Sequence, residues 1–243
     1  MRTDILGVEF DKLTAEESVA RGEALLKEAK GAYVVTPNPE LVFESRKNAA
    51  FSKALSEADI VLPDGIGVVY ASKILGHKGF VRLPGIEFGS SMLQIAAREG
   101  YGVYLLGAKP GVAEKAGENL KAQYPGLIIS GAADGYFKPE DPVAERIKES
   151  GAKLVFVCLG FPKQELWIAQ NRHKTGAALH LALGGSLDVY AGNVKRAPEI
   201  WCKLGLEWFY RLIKEPQRIK RMWKLPYILI LAAGKRIKNI FKK

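Results

Sequence analysis

Residues 60–67, IVLPDGIG, place a carboxylate in the turn between an apolar run and an apolar helical pattern. Asp64 can do one of two things there. It can cap the helix that follows by accepting from free N–H groups, or it can take a proton from a hydroxyl as a general base. Ligands of α/β proteins bind at the carboxyl ends of strands, so the position suits both. Other turns repeat the pattern. TPNPE (36–40) offers the Thr36 hydroxyl beyond a strand, and Asn38 directly before Pro39 is good cap chemistry. Arg82 stands just before the Pro84-Gly85 helix start. In LLGAKPG (105–111), Gly107 and Gly111 precede a helix and suit either a phosphate contact or a tight turn, without the G-x-G-x-x-G spacing of a dinucleotide site. Gly160 to Glu165, GFPKQE, is the stronger turn. Lys163 and Gln164 present donors suited to a diphosphate, and Glu165 an acceptor for a sugar hydroxyl, against the plain alternative of a solvated first turn. ALGGSLD adds Gly184, Gly185 and Asp188, where a nucleotide can lie across a glycine turn, with a plain helix cap as the default reading.

Elements must hold these turns in place. Helical periodicity over Thr14–Lys30 leads to the strand AYVVT, then to a second helical stretch from Pro39 to about Ala58. A helix near Pro84 is closed by Gly100. Beyond it, apolar strands alternate regularly with helices as far as AALHLALGG. Fully apolar strands in such alternation predict an α/β fold, a Rossmann-like, mostly parallel sheet with helices on both faces. A helical, basic C-terminal appendage is expected after it.

Of 243 residues, 48% are hydrophobic and 26% charged, as in globular proteins with a sizeable core. Asp4, Glu9 and Asp11 stand where a signal peptide needs an apolar stretch, so a cytoplasmic protein is expected. Cys158 and Cys202 have no metal-clip spacing and read as structural. His180 lies in an apolar strand and reads as a core residue. With no D-x-D, no H-E-x-x-H and no Cys cluster, no metal and no cofactor are expected.

The net charge of +10 is unevenly placed. Up to Val194 there are 22 Lys and Arg against 23 Asp and Glu, and from Lys195 onward 14 against 3. A neutral body with a basic end points to one anionic surface met by one segment: RNA, a partner or a membrane. In that segment Ile200, Trp201, Leu204, Trp208, Phe209, Leu212 and Ile213 recur at helical spacing among cations, an interfacial composition. YILILAA (227–233) falls well short of the about 20 residues that span a bilayer.

The order of the motifs is more telling than any one of them. TPNPE, LPDGIG, RLPGIEF, LLGAKPGVAE, LGFPKQELW, GGSLDVYAG, RAPE and LEWFYRLIKEPQR together resemble the TagA/WecG/CpsF family of bacterial glycosyltransferases, from Thr36 to Arg221. The resemblance implies inverting, metal-independent transfer from a UDP-N-acetylmannosamine-type donor to polyprenol-diphosphate-linked N-acetylglucosamine at the inner face of the membrane. In the TagA branch this builds the linkage unit of wall teichoic acid. It makes Asp64 the base, with Glu165 and Asp188 as rivals, and has Thr36, Asn38 and Gln164 orient sugars. Arg82, Lys163 and the tail arginines Arg211, Arg218 and Arg221 would meet diphosphate charge, with Lys214 and Lys224 beside them at the membrane. A donor pocket of Gly107, Gly160 and Gly185 would face Asp64. Residues 1–194 would form the transferase domain, acceptor-side up to about 100 and nucleotide-sugar side beyond it, with 195–243 as the membrane-associating appendage. Partners are then the two substrates and an anionic membrane surface, with homo-oligomerisation left open and no nucleic acid. The alternative is a non-catalytic nucleotide- or RNA-binding module with a basic tail. A dinucleotide-dependent oxidoreductase is opposed by the missing fingerprint.

Overall fold

The structure, a computed structural model, describes residues 2–28, 30–214, 216–219 and 223–241, with only the backbone of Lys203, Arg218 and Ile240. The N-terminal half holds β1 (Arg2–Ile5), β2 (Val8–Asp11), α1 (Ala15–Glu28), β3 (Ala32–Val35), α2 (Pro39–Ser45), α3 (Ala49–Ser56), β4 (Ile60–Val61), α4 (Ile66–Ile74) and α5 (Gly85–Glu99). Next come β5 (Gly102–Gly107), α6 (Val112–Gln123), β6 (Ile128–Ala133), α7 (Val143–Glu149), β7 (Leu154–Cys158), α8 (Lys163–Asn171), β8 (Leu179–Ala182) and α9 (Ser186–Tyr190). The basic segment carries α10 (Glu199–Lys203), α11 (Glu207–Lys214), a 3₁₀ turn (Pro216–Arg218) and α12 (Lys224–Ile240).

Six strands form one parallel sheet in the order β4-β3-β8-β7-β5-β6. Successive side chains of a strand face opposite sides, so each strand feeds both layers of core. Tyr33, Val35, Val155 and Val157 pack with Phe10, Phe51, Val68 and Ile168. Val34, Leu154, Phe156 and Leu181 pack with Leu26, Phe88, Met92 and Leu105 on the other face. The expected α/β class and the parallel sheet covered on both faces are what is found.

Four features depart from the sequence reading. Residues 2–11 form an antiparallel hairpin whose tight turn uses positive φ at Leu6 and Gly7. The helix expected from Pro39 to about Ala58 is two helices. Asn48 breaks it, its Oδ1 accepting from Phe51 N–H at 3.0 Å to cap α3. The parallel sheet is not confined to the second half, because β3 sits between β4 and β8. Finally, α12 is packed into the body, where Ile228 and Ala232 are fully buried in the first core layer. Tyr227 stacks on Phe43 with centroids 5.3 Å apart, and Arg236 donates to the Leu75 carbonyl at 3.1 Å. Gly67 allows this approach, since a Cβ there would lie 2.8 Å from Pro39 and 3.5 Å from Leu225.

Candidate active site

The carboxyl ends of β3, β4 and β8 and the turn after β7 open into a cleft of about 460 Å³. Three turns are knitted together along it. Asp64 N–H donates to the Pro37 carbonyl at 3.2 Å, and Leu83 N–H donates to the Pro63 carbonyl at 2.9 Å. Thr36, Asn38, Asp64 and Arg82 all line the cleft as a result.

Capping does not account for Asp64 in the way its sequence position suggests. The N-cap of α4 is Gly65, with no side-chain cap, and φ of 113° there suits only glycine. Asp64 Oδ2 instead accepts from the N–H of Gly85, the first residue of α5, at 3.4 Å. Gly85 is needed there, since a Cβ would sit 2.8 Å from Thr36 Oγ1. Burial pushes the Asp64 pKa above the ordinary carboxylate range; Arg82, the Gly85 N–H and Arg211 pull it back, and Glu207 adds to the rise. Asn38 does cap, with Oδ1 accepting from the N–H groups of Glu40 at 2.8 Å and Leu41 at 3.4 Å.

Gly160, Phe161, Gln164, Gly184, Gly185 and Ser186 line the same cleft. Gln164 Oε1 accepts from Gly184 N–H at 2.9 Å, and its Nε2 donates to Glu165 Oε1 at 2.8 Å. The amide therefore latches the glycine turn after β8 to α8.

Four expected donor-site residues do not line the cleft. Gly107, with φ of 130°, is required by packing: a Cβ would come 2.3 Å from the Cys158 carbonyl oxygen on the neighbouring strand. Lys163 turns away, donating to the Gly135 carbonyl at 2.8 Å with its Nζ 4.6 Å from the Phe137 ring centroid. Glu165 is wholly buried beneath the wall, and burial pushes its pKa up to about 7. Asp188 belongs to the short helix α9, where its carbonyl accepts from the N–H groups of Asn193 and Val194.

Of the basic segment, Arg211 and Lys224 line the cleft, while Lys214 is exposed beside Tyr210. The side chain of Arg218 and all of Arg221 lie outside the described residues. The sequence reading missed Glu207, which is buried and accepts from both Arg82 and Arg211. Its signal was available, as one of only three carboxylates among the 14 cations from Lys195 onward. Trp208 lines the cleft beside it. His180 is a core residue, as expected: it is bonded to Thr175 Oγ1 and the Ala32 carbonyl, and burial lowers its pKa to about 4. Cys158 is buried too, which pushes its pKa up to about 12. Among the described residues no three His, Cys, Asp or Glu side chains gather as metal ligands.

A parallel sheet with a polar cleft at its strand ends, lined by a carboxylate and a glycine turn, is the organisation of an α/β enzyme acting on a ligand at that edge. The profile of the "Glycosyl transferase WecG/TagA/CpsF family" matches residues 3–241, and the chain belongs to that family. Its curated relatives include proteins of Bacillus spizizenii (strain ATCC 23059 / NRRL B-14472 / W23), 43% identical over 83% of this chain and 78% of the relative, and of Bacillus subtilis (strain 168), 39% identical over 87% and 83%. A Staphylococcus aureus (strain MW2) protein is 36% identical over 98% of this chain and 95% of its own length. All three are named N-acetylglucosaminyldiphosphoundecaprenol N-acetyl-beta-D-mannosaminyltransferase.

Proposed function

We propose that this hexosyltransferase moves N-acetylmannosamine from UDP-N-acetylmannosamine to N-acetylglucosamine on diphosphoundecaprenol, with inversion and without a metal ion, in the making of the wall teichoic acid linkage unit. The observation that carries the catalytic reading is Asp64, a carboxylate of raised pKa aimed into a cleft that its rivals do not reach. A base works best with a pKa near the working pH, and burial moves Asp64 in that direction. The acceptor hydroxyl gives its proton to Asp64 as its oxygen attacks the anomeric carbon, and the UDP leaves from the opposite face. Arg82, Arg211 and Lys224 supply positive charge for the departing diphosphate in place of a divalent ion. Thr36, against the N-terminus of α5, orients the acceptor sugar, and the Gly184–Gly185 turn latched by Gln164 receives the nucleotide.

The lipid part of the acceptor requires the cleft to work at a membrane. Ile200, Leu204, Phe209 and Ile213 are exposed apolar side chains on α10, α11 and their connection, among the cations of the basic segment. Among the described residues no helix is long and apolar enough to cross a membrane. The chain therefore binds the inner leaflet peripherally through this face.

The test is a short-chain prenyl-diphosphate-N-acetylglucosamine incubated with a panel of UDP-sugars in excess EDTA. A disaccharide is expected with UDP-N-acetylmannosamine and at least about a 10²-fold loss of turnover in Asp64→Asn, with donor binding retained. An active Asp64→Asn protein would end the base assignment. No product from any donor, together with salt-dependent RNA binding, would favour the binding-module alternative.

A further inference from the structure

Glu207 stands at the junction of the body and the basic segment. It is buried, and both of its oxygens are taken: Oε2 accepts from Arg82 and Oε1 from Arg211, each at 2.5 Å. Arg82 reaches it across 125 positions of sequence and also donates to the Cys202 carbonyl at 3.4 Å. Cys202 Sγ lies 3.8 Å from Glu207 Oε2. All three ionic groups line the cleft that holds Asp64, along with Glu40 and Lys224. Arg196, paired with Glu87, also acts on Glu207. Two arginines with no counter-charge beside Asp64 would hold it as a weak, permanently ionised carboxylate, and long side chains with no anchor would not keep one geometry.

We propose that Glu207 is a positioning residue for the transfer: by accepting from Arg82 and Arg211 at once, it fixes both guanidiniums at the rim of the cleft and offsets their charge at Asp64. The inference rests on the reading of Asp64 as the base. A clip whose charge did not act on Asp64 would need the same contacts but would leave the proton affinity of Asp64 alone. The two roles differ in sign. The Glu207 charge raises the Asp64 pKa, whereas Arg82 and Arg211 lower it, so removing the acid and removing one of its partners push the base in opposite directions.

The experiment is turnover against pH at saturating UDP-N-acetylmannosamine and short-chain lipid acceptor, for wild type, Glu207→Gln, Arg211→Met and Asp64→Asn, with a thermal melt of each. In Glu207→Gln the acid limb is expected to move to lower pH and the plateau to fall about tenfold, the lower end of what a lost charge-assisted hydrogen bond costs. In Arg211→Met the limb moves to higher pH. If Glu207→Gln does not fold, the double variant Glu207→Gln with Arg211→Met decides, its limb expected at lower pH than that of Arg211→Met alone. Limbs that stay at the wild-type position, or that move the same way in both variants, overturn the role of Glu207. With Asp64→Asn inactive, that result leaves the base assignment standing. An active Asp64→Asn removes the base and the inference together.

Discussion

Glu165 carries a carboxyl with no exposure to water, and its Oε2 has no hydrogen-bond partner. The Gln164 amide and the Glu165 backbone N–H favour the charged form only weakly there, so burial raises the pKa from 4.5 to about 7. The unfolded chain releases this proton near pH 4.5, while the folded chain keeps it to about pH 7. The contribution of Glu165 to stability is therefore fully present below pH 4.5, falls as the pH rises through that interval, and is lost above it. The difference amounts to on the order of 3 kcal/mol at most. Glu165→Gln has no proton to lose, so urea titrations at pH 5 and pH 8 should show a loss in wild type that the variant lacks. Equal losses in both would mean that Glu165 is charged in the fold. The sequence located this residue correctly, at the start of a helix in the GFPKQE turn, but it could not show which way the side chain faces. Gln164 points into the cleft and its neighbour into the core, and a helix turns by 100° between the two.

At the scale of elements, the strands and most helices were legible because apolar runs and Gly or Pro punctuation are local properties. Strands β3, β5, β7 and β8 and the cap at Gly100 fall where the pattern puts them. What stayed hidden depends on distant partners. Gly107 has the sequence of a phosphate turn and is instead required by the Cys158 carbonyl of the next strand. Asn48 interrupts a periodicity that continues across it. The run YILILAA is too short for a bilayer on its length alone, but its buried face depends on α4 and α2, which receive it. Because Ile228 is fully buried in the core layer that also holds Val68 and Ala71, α12 should unfold with the sheet and not before it. Ile228→Ala is expected to cost about 2–5 kcal/mol, seen as a lower urea midpoint by far-UV circular dichroism. A midpoint unchanged from wild type would show α12 to be a separate, weakly docked unit.

At the scale of the whole molecule, the basic segment has two surfaces with different physics. One face of it is internal: Glu207, Ile228 and Ala232 are buried and tie it to the sheet. Its outer face shows Phe209, Ile213, Ile219 and Trp223 among the cations. A protein anchored by charge alone leaves an anionic surface as salt rises, because each Lys or Arg contributes about 1 kcal/mol within a Debye length of about 10 Å at 0.1 M salt. Burial of apolar side chains at the headgroup boundary is not screened. Both contributions should be visible in one experiment, flotation with phosphatidylcholine–phosphatidylglycerol vesicles across a salt series. Wild type is expected to bind strongly at low salt and to keep a residual, salt-resistant fraction. Phe209→Ser with Ile213→Ser removes two exposed apolar groups, neither of which lines the cleft. The double variant should still bind at low salt, lose the resistant fraction, and turn over a water-soluble short-chain acceptor at the wild-type rate while slowing on acceptor embedded in vesicles. Equal salt resistance in the two proteins would place the membrane contact somewhere other than α11.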